Sequence, residues 1–179
     1  MLDAQELRPF FSRAAQLGAV IFMHPLAVLG LDRLRHWYLS NLIGNPTDTA
    51  VAVASLIFGG VLDELPDLKI VCAHGGGTTA CLCGRWDHGW RVRPETRALP
   101  KAPSEYLRRL YYDTLTHSGA TLNLLLEVIG ADRLVLGSDF PYDMGNPNAV
   151  DAIESHPRLS ANERTQILGE NARRLLGLS

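Results

Sequence analysis

No stretch of this chain is apolar for the roughly 18 to 20 residues that a membrane-spanning helix requires. Its opening, Met1 to Phe11, carries acidic and polar residues where a secretory signal needs a basic flank and then an apolar block. The sequence therefore predicts a cytoplasmic protein with no membrane partner. Cysteine is scarce: Cys72, Cys81 and Cys83 are an odd number in a chain too large to need disulfide staples, which predicts reduced thiols. No second Cys/His pair follows Cys81-x-Cys83 at zinc-finger spacing, which argues against a structural cysteine–zinc site. An excess of either charge is missing too. Lys+Arg 17 against Asp+Glu 19 leaves a formal net charge of -2, so no basic surface is on offer to nucleic acid. With 46% hydrophobic and 20% charged residues, disordered and collagen-like chains are excluded. What remains is a globular chain of 179 residues. It is read as one domain, residues 1–179, long enough to bury roughly two-thirds of its unfolded surface.

Four short apolar runs, Ala19–Met23, Lys69–Ala73, Leu110–Leu115 and Arg133–Ser138, are predicted as strands. Helical spacing marks Asp3–Leu17, Asp48–Leu65, Thr78–Trp90, Ala120–Ile129 and Ala161–Leu176. The last opens with Ser160-Ala-Asn-Glu163, a capping box in which hydroxyl and carboxylate each satisfy a free backbone amide. Breaks are expected at Gly44-Asn-Pro46, Leu65-Pro-Asp67, Gly75-Gly-Gly77, Pro141–Pro147 and His156-Pro157, and the proline-punctuated stretch Arg91–Pro103 reads as a surface loop. Apolar strands alternating with amphipathic helices need cover on both faces, which predicts an α/β fold of parallel βα units.

The chemistry lies at the strand exits. Ala19–Met23 runs into His24-Pro25, Lys69–Ala73 into His74-Gly-Gly-Gly77, and Leu134–Ser138 into Asp139-Phe-Pro141. In parallel α/β sheets and barrels, functional groups come from the carboxyl ends of the strands, where the loops converge. Taken singly, either histidine can be a hydrogen-bonded rim residue and the aspartate a turn or N-cap. Together they match the imidazole-plus-carboxylate set that holds a catalytic divalent metal or moves protons near neutral pH. The triglycine after His74 either lets a substrate approach the backbone or simply makes a tight turn.

Further pieces extend the pattern along nearly the whole chain, in one order: Phe22-Met-His24-Pro25, Gly44-Asn-Pro-Thr-Asp-Thr49, Leu56-Ile-Phe-Gly-Gly-Val61, Leu65-Pro-Asp-Leu-Lys-Ile70, Ala73-His-Gly-Gly-Gly77, Gly84-Arg-Trp-Asp-His-Gly89, Tyr112-Asp113, Leu136-Gly-Ser-Asp-Phe-Pro141 and Ile167–Gly177. In these the sequence resembles the amidohydrolase-related family of metal-dependent TIM-barrel enzymes, in the branch of aminocarboxymuconate-semialdehyde and resorcylate-type decarboxylases. The resemblance implies that His24 and Asp139 are metal ligands, with Asp139 also in the catalytic set. It implies that His74 activates water or carries the proton, and that Arg85 reaches a neighbouring subunit to bind a substrate carboxylate. Tyr142 falls where the family places an aromatic side chain in the pocket. The implied cofactor is a divalent metal, zinc or else manganese, and the implied substrate is a small carboxylic acid.

One departure is large. The family begins with a strand bearing His-x-His, two further ligands, yet the six histidines here are His24, His36, His74, His88, His117 and His156, no two separated by one residue. The resemblance thus covers the carboxyl-terminal half of the family. It implies a partial (β/α)8 barrel of about four βα units with the amino-terminal half absent, since a closed barrel takes at least about 200 residues. Three functions follow as expectations. The first is non-oxidative decarboxylation of a muconate-type or aromatic acid by a completed barrel. Metal-dependent hydrolysis of a lactone, ester or amide at the same site is the second. The third is an inactive half-barrel with an assembly role. The expected partner is a second copy or a complementing amino-terminal half, because exposed strand edges recruit neighbours. Separately, Arg85 is expected at a subunit contact, with Trp86 and Trp90 nearby.

Overall fold

A computed structural model describes residues 1–96 and 98–178. Four strands, β1 (Val20–Met23), β2 (Lys69–Cys72), β3 (Tyr111–Asp113) and β4 (Leu134–Val135), form one sheet in the order β1-β2-β3-β4. Every neighbouring pair is parallel, in register Met23↔Cys72, Cys72↔Tyr112 and Tyr112↔Leu134. Helices intervene: α1 (Arg8–Gln16) before β1; α2 (Asn45–Phe58) and α3 (Val61–Glu64) before β2; α4 (Thr79–Val92) and α5 (Pro103–Leu107) before β3; and α6 (Gly119–Val128) before β4. After β4 come α7 (Ala149–Glu154), α8 (Ala161–Thr165) and α9 (Asn171–Leu176). This is the mixed α/β, four-stranded parallel arrangement that the sequence predicts. Among the described residues no helix is long and apolar enough to cross a membrane.

Alternation along the strands divides the sheet into two faces. Ile21, Met23, Ile70, Cys72, Tyr112 and Leu134 turn toward the helices and join the main core with Leu56, Ile57 and Leu107. Val71 and Val135 turn the other way, where Leu175 of α9 covers them. The helix carrying Leu175 is held there by buried Asn171, whose Nδ2 donates to the carbonyls of Ala131 (2.8 Å) and Leu134 (2.7 Å). Lys69 Nζ also donates to the Leu175 carbonyl at 3.0 Å. The rest of this inner face stays open, with Phe22 59% exposed.

Several boundaries differ from the sequence reading. Gly44-Asn-Pro46 is not a break: a π-helical turn, Ser40–Gly44, runs straight into α2, and Pro46 sits in the first turn, where its missing N–H has no helical partner to lose. The predicted helix Asp48–Leu65 is instead interrupted at Gly59-Gly60, with Gly60 in the left-handed region. The Ser160 capping box forms as predicted: Ser160 N donates to Glu163 Oε2 at 2.8 Å and Glu163 N to Ser160 Oγ at 3.3 Å. That helix contains a second π-helical turn, Gln166–Glu170. In the Arg91–Pro103 stretch, α4 continues to Val92 and a short 3-10 turn spans Pro94–Thr96, while Arg97 lies outside the described residues.

Candidate metal centre

The parallel register brings three strand exits to one rim. His24 follows β1 directly, His74 follows β2 after Ala73, and Asp139 lies just beyond β4. One donor atom from each of these three side chains lies within 4.8 Å of the others. The two imidazole rings stand edge to face, their centroids 4.8 Å apart at 69°. Two donors about 2.1 Å from one tetrahedral ion lie about 3.4 Å apart, so closing a pair 4.8 Å apart on an ion needs roughly 1.4 Å of approach. The chemistry agrees: His74 Nδ1 is buried without a hydrogen-bond partner. Such an orphaned nitrogen costs free energy unless something binds it. The set therefore fits a divalent cation held by a histidine and a carboxylate, with His74 as an unpartnered base beside it.

The turn bearing His74 is held by a residue the sequence reading passed over. Asp113, at the end of β3 and 6% exposed, accepts three backbone hydrogen bonds: His74 N to Oδ2 (3.0 Å), Gly75 N to Oδ1 (2.8 Å) and Leu115 N to Oδ1 (3.1 Å). Only the β2–β3 register reveals this role; the one sequence signal is a strand-terminal carboxylate, in the pair Tyr112-Asp113. The triglycine proves to be a packing device. His74 and the three glycines all have positive φ. A Cβ on Gly76 would meet the Tyr112 ring at 2.5 Å, and one on Gly77 the Pro46 carbonyl oxygen at 2.0 Å.

Burial chiefly pushes the His74 imidazole below its ordinary pKa range. The charges of His24 and His117 act in the same direction, and those of Asp113 and Asp139 oppose it. Burial likewise raises the Asp113 carboxyl, against the lowering effect of its three backbone bonds. His74 and Asp139 border two cavities. The larger, about 580 Å³, lies over the inner face of the sheet and also touches His24 and Tyr142. The smaller, about 410 Å³, reaches from His74 past Asn45 to His117. Tyr142 lines the cavity that His24, His74 and Asp139 also border, and is 68% exposed. Arg85 does not join the triad. It is exposed on α4, one turn beyond Cys81, which lines the smaller cavity. The nearby tryptophans pack against the core: Trp86 stands edge-on to Phe58 (6.2 Å), and Trp90 Nε1 donates to the Leu99 carbonyl (3.1 Å). The three cysteines are free thiols.

Comparison with known proteins agrees with this fold. The chain is 38% identical over 179 residues to a 2-amino-3-carboxymuconate-6-semialdehyde decarboxylase of Dictyostelium discoideum, covering 99% of this chain and 50% of that protein. Among solved structures, 5-carboxyvanillate decarboxylase of Sphingomonas paucimobilis superposes with a TM-score of 0.87 at 27% identity, over 99% of this chain and 55% of that one. A dihydroxybenzoic acid decarboxylase of Polaromonas, solved with manganese and the inhibitor 2-nitroresorcinol, gives a TM-score of 0.86 at 28% identity, over 98% and 55%. The chain spans about half the length of the curated relatives it matches. The four parallel strands correspond to that portion of a TIM barrel. The family model described as amidohydrolase matches residues 1–178, and the chain belongs to that family.

Proposed function

We propose that this chain is the metal- and proton-handling portion of a non-oxidative decarboxylase acting on a small aromatic or muconate-type carboxylic acid. The observation that carries the reading is the meeting of His24, His74 and Asp139 within 4.8 Å at the carboxyl ends of parallel strands. His24 and Asp139 would hold a divalent cation, zinc in our reading, with manganese the ion found in the Polaromonas relative. Such an ion supplies Lewis-acid polarisation of a substrate oxygen. His74 carries the proton. Because burial lowers its pKa, its imidazolium form is a stronger acid than an ordinary histidine. It gives the proton to the carbon bearing the carboxylate. The carbon–carboxylate bond then breaks, its electron pair returns to the conjugated system, and carbon dioxide leaves. Tyr142 lines the approach, and Arg85 orients a carboxylate from a neighbouring copy by a two-pronged contact. The working assembly is a homo-oligomer or a pairing with a complementary half-barrel, in the cytoplasm.

The test is metal titration of the purified chain and its variants. His24→Ala and Asp139→Asn are each expected to weaken manganese and zinc binding by more than the 10 to 100-fold typical of losing a supporting group. His74→Asn is expected to leave metal affinity within a few-fold while removing the proton carrier. Equal loss in all three variants would assign His74 to the ligand set instead.

A further inference from the structure

The smaller cavity is not explained by metal binding. His74 and Asp139 stand at its edge, and its other walls come from the π-helical turn and the start of α2, from α4, from the segment leading from β3 into α6 and from the loop after β4. Leu42, Leu115 and Met144 make those walls apolar, as an unsaturated carbon skeleton requires, and Asn41, Asn45 and His117 add polar groups.

His117 shares a left-handed backbone with His74 and Asp139 of the same cavity, and of the three it is the one outside the candidate metal centre. Its backbone lies in the left-handed region at φ 53, where a residue with a Cβ is strained and glycine is not. The turn around it is pinned on both sides. Gly137 N donates to Thr114 Oγ1 (3.2 Å), Thr116 Oγ1 to the Ser118 carbonyl (3.1 Å), and Thr121 N to Ser118 Oγ, which caps α6 (3.3 Å). An exposed imidazole therefore occupies a position where the turn alone would favour glycine. Strain kept at a cavity wall points to work done by the side chain. The π-helical turn carrying Asn41 is a second irregularity at the same cavity, and such turns concentrate at functional sites.

We propose that His117, together with Asn41 and Asn45, binds an oxygen substituent of the substrate, a hydroxyl or second carboxylate, and so selects which carboxylic acid the site accepts. This rests on the decarboxylase reading above and extends it from the reacting end of the substrate to its distinguishing end. Ring nitrogen and amide groups hydrogen-bond such an oxygen, and an acid without it leaves them unpaired.

The experiment compares 2,6-dihydroxybenzoate with benzoate, measuring the affinity of each for the wild-type chain by calorimetry, beside manganese affinity by electron paramagnetic resonance. The wild-type chain is expected to prefer the dihydroxylated acid. His117→Gly, which relieves the backbone, is expected to lose about tenfold of that preference, the size of one good hydrogen bond. Benzoate and manganese affinities should stay within about twofold. His117→Asn, which tolerates the left-handed backbone and keeps a donor, should retain part of the preference. The melting temperature should not fall in the glycine variant, which separates binding from folding. Equal loss for both acids in His117→Gly, an unchanged preference, or no preference in the wild type would overturn the proposal. Manganese binding reports separately. Manganese binding that is equally weak in the wild type and in His24→Ala, with the preference intact, would sink the metal reading alone, and manganese binding without the preference would sink only the role of His117.

Discussion

Asp113 shows how a single side chain sets the geometry of the centre. Both of its oxygens are occupied by backbone N–H groups, so its carboxylate fixes the left-handed turn that carries His74. Asp113→Asn keeps the shape but turns an NH2 group toward a backbone donor. One buried N–H is then unpaired, at a cost of about 1–3 kcal/mol. Urea denaturation should show that loss, and a change below about 0.5 kcal/mol, the scale of ordinary surface substitutions, would show that the three bonds do not hold the turn. At this scale the sequence was informative for some residues and silent for others. His24, His74 and Asp139 were legible because each interrupts an apolar run at its exit, a pattern local in the chain. Asp113 and His117 were not, because their importance comes from neighbours 38 to 39 residues away for Asp113 and from a backbone angle for His117.

Among elements, the contact between the His74 turn and the start of α2 is the tightest. Thr78 N donates to the Pro46 carbonyl at 3.0 Å, and Gly77 passes against the same oxygen with φ 60 and ψ -127. Gly77→Ala would force a Cβ into that carbonyl and strain the backbone as well. The two effects together are expected to cost about 3 kcal/mol or more. Thermal unfolding should show it. A wild-type melting temperature in this variant would mean that α2 and the turn can separate freely. The strands themselves were readable from β-branched apolar runs, yet β4 is two residues where six were expected. Beyond Val135 the backbone bonds leave the sheet: Leu136 N donates to the Ile167 carbonyl at 3.0 Å and Gly137 N to Thr114 Oγ1 at 3.2 Å. No local pattern foretells such distant partners. Helix α5 follows a detectable signal, Pro103 in its first turn, but its five residues are too few to show a period.

At the scale of the whole molecule, β1 and β4 are the two ends of the sheet order, and neither pairs beyond it among the described residues. The inner face leaves Phe22 59%, Phe140 87% and Tyr142 68% exposed, more aromatic surface than a finished barrel interior presents to water. The candidate metal centre is similarly open. In the function proposed above His24 and Asp139 would give two protein bonds and His74 would carry the proton, whereas a catalytic zinc site ordinarily has three protein ligands. The purified 179-residue chain is therefore expected to bind zinc or manganese weakly, to self-associate as its concentration rises through its free strand edges, and to release no carbon dioxide from dihydroxybenzoate or muconate-type acids. Mixed with the amino-terminal half of the Dictyostelium relative, it should gain metal affinity, because added ligands and a closed interior act on the same ion. Metal content after dialysis, sedimentation and carbon dioxide release measure the three effects. Stoichiometric metal with turnover from the chain alone would sink this prediction. His74 would then be serving as ligand, and the proton would have to come from another group at the rim, such as His117, which with His24 is one of two histidines whose charge bears on it.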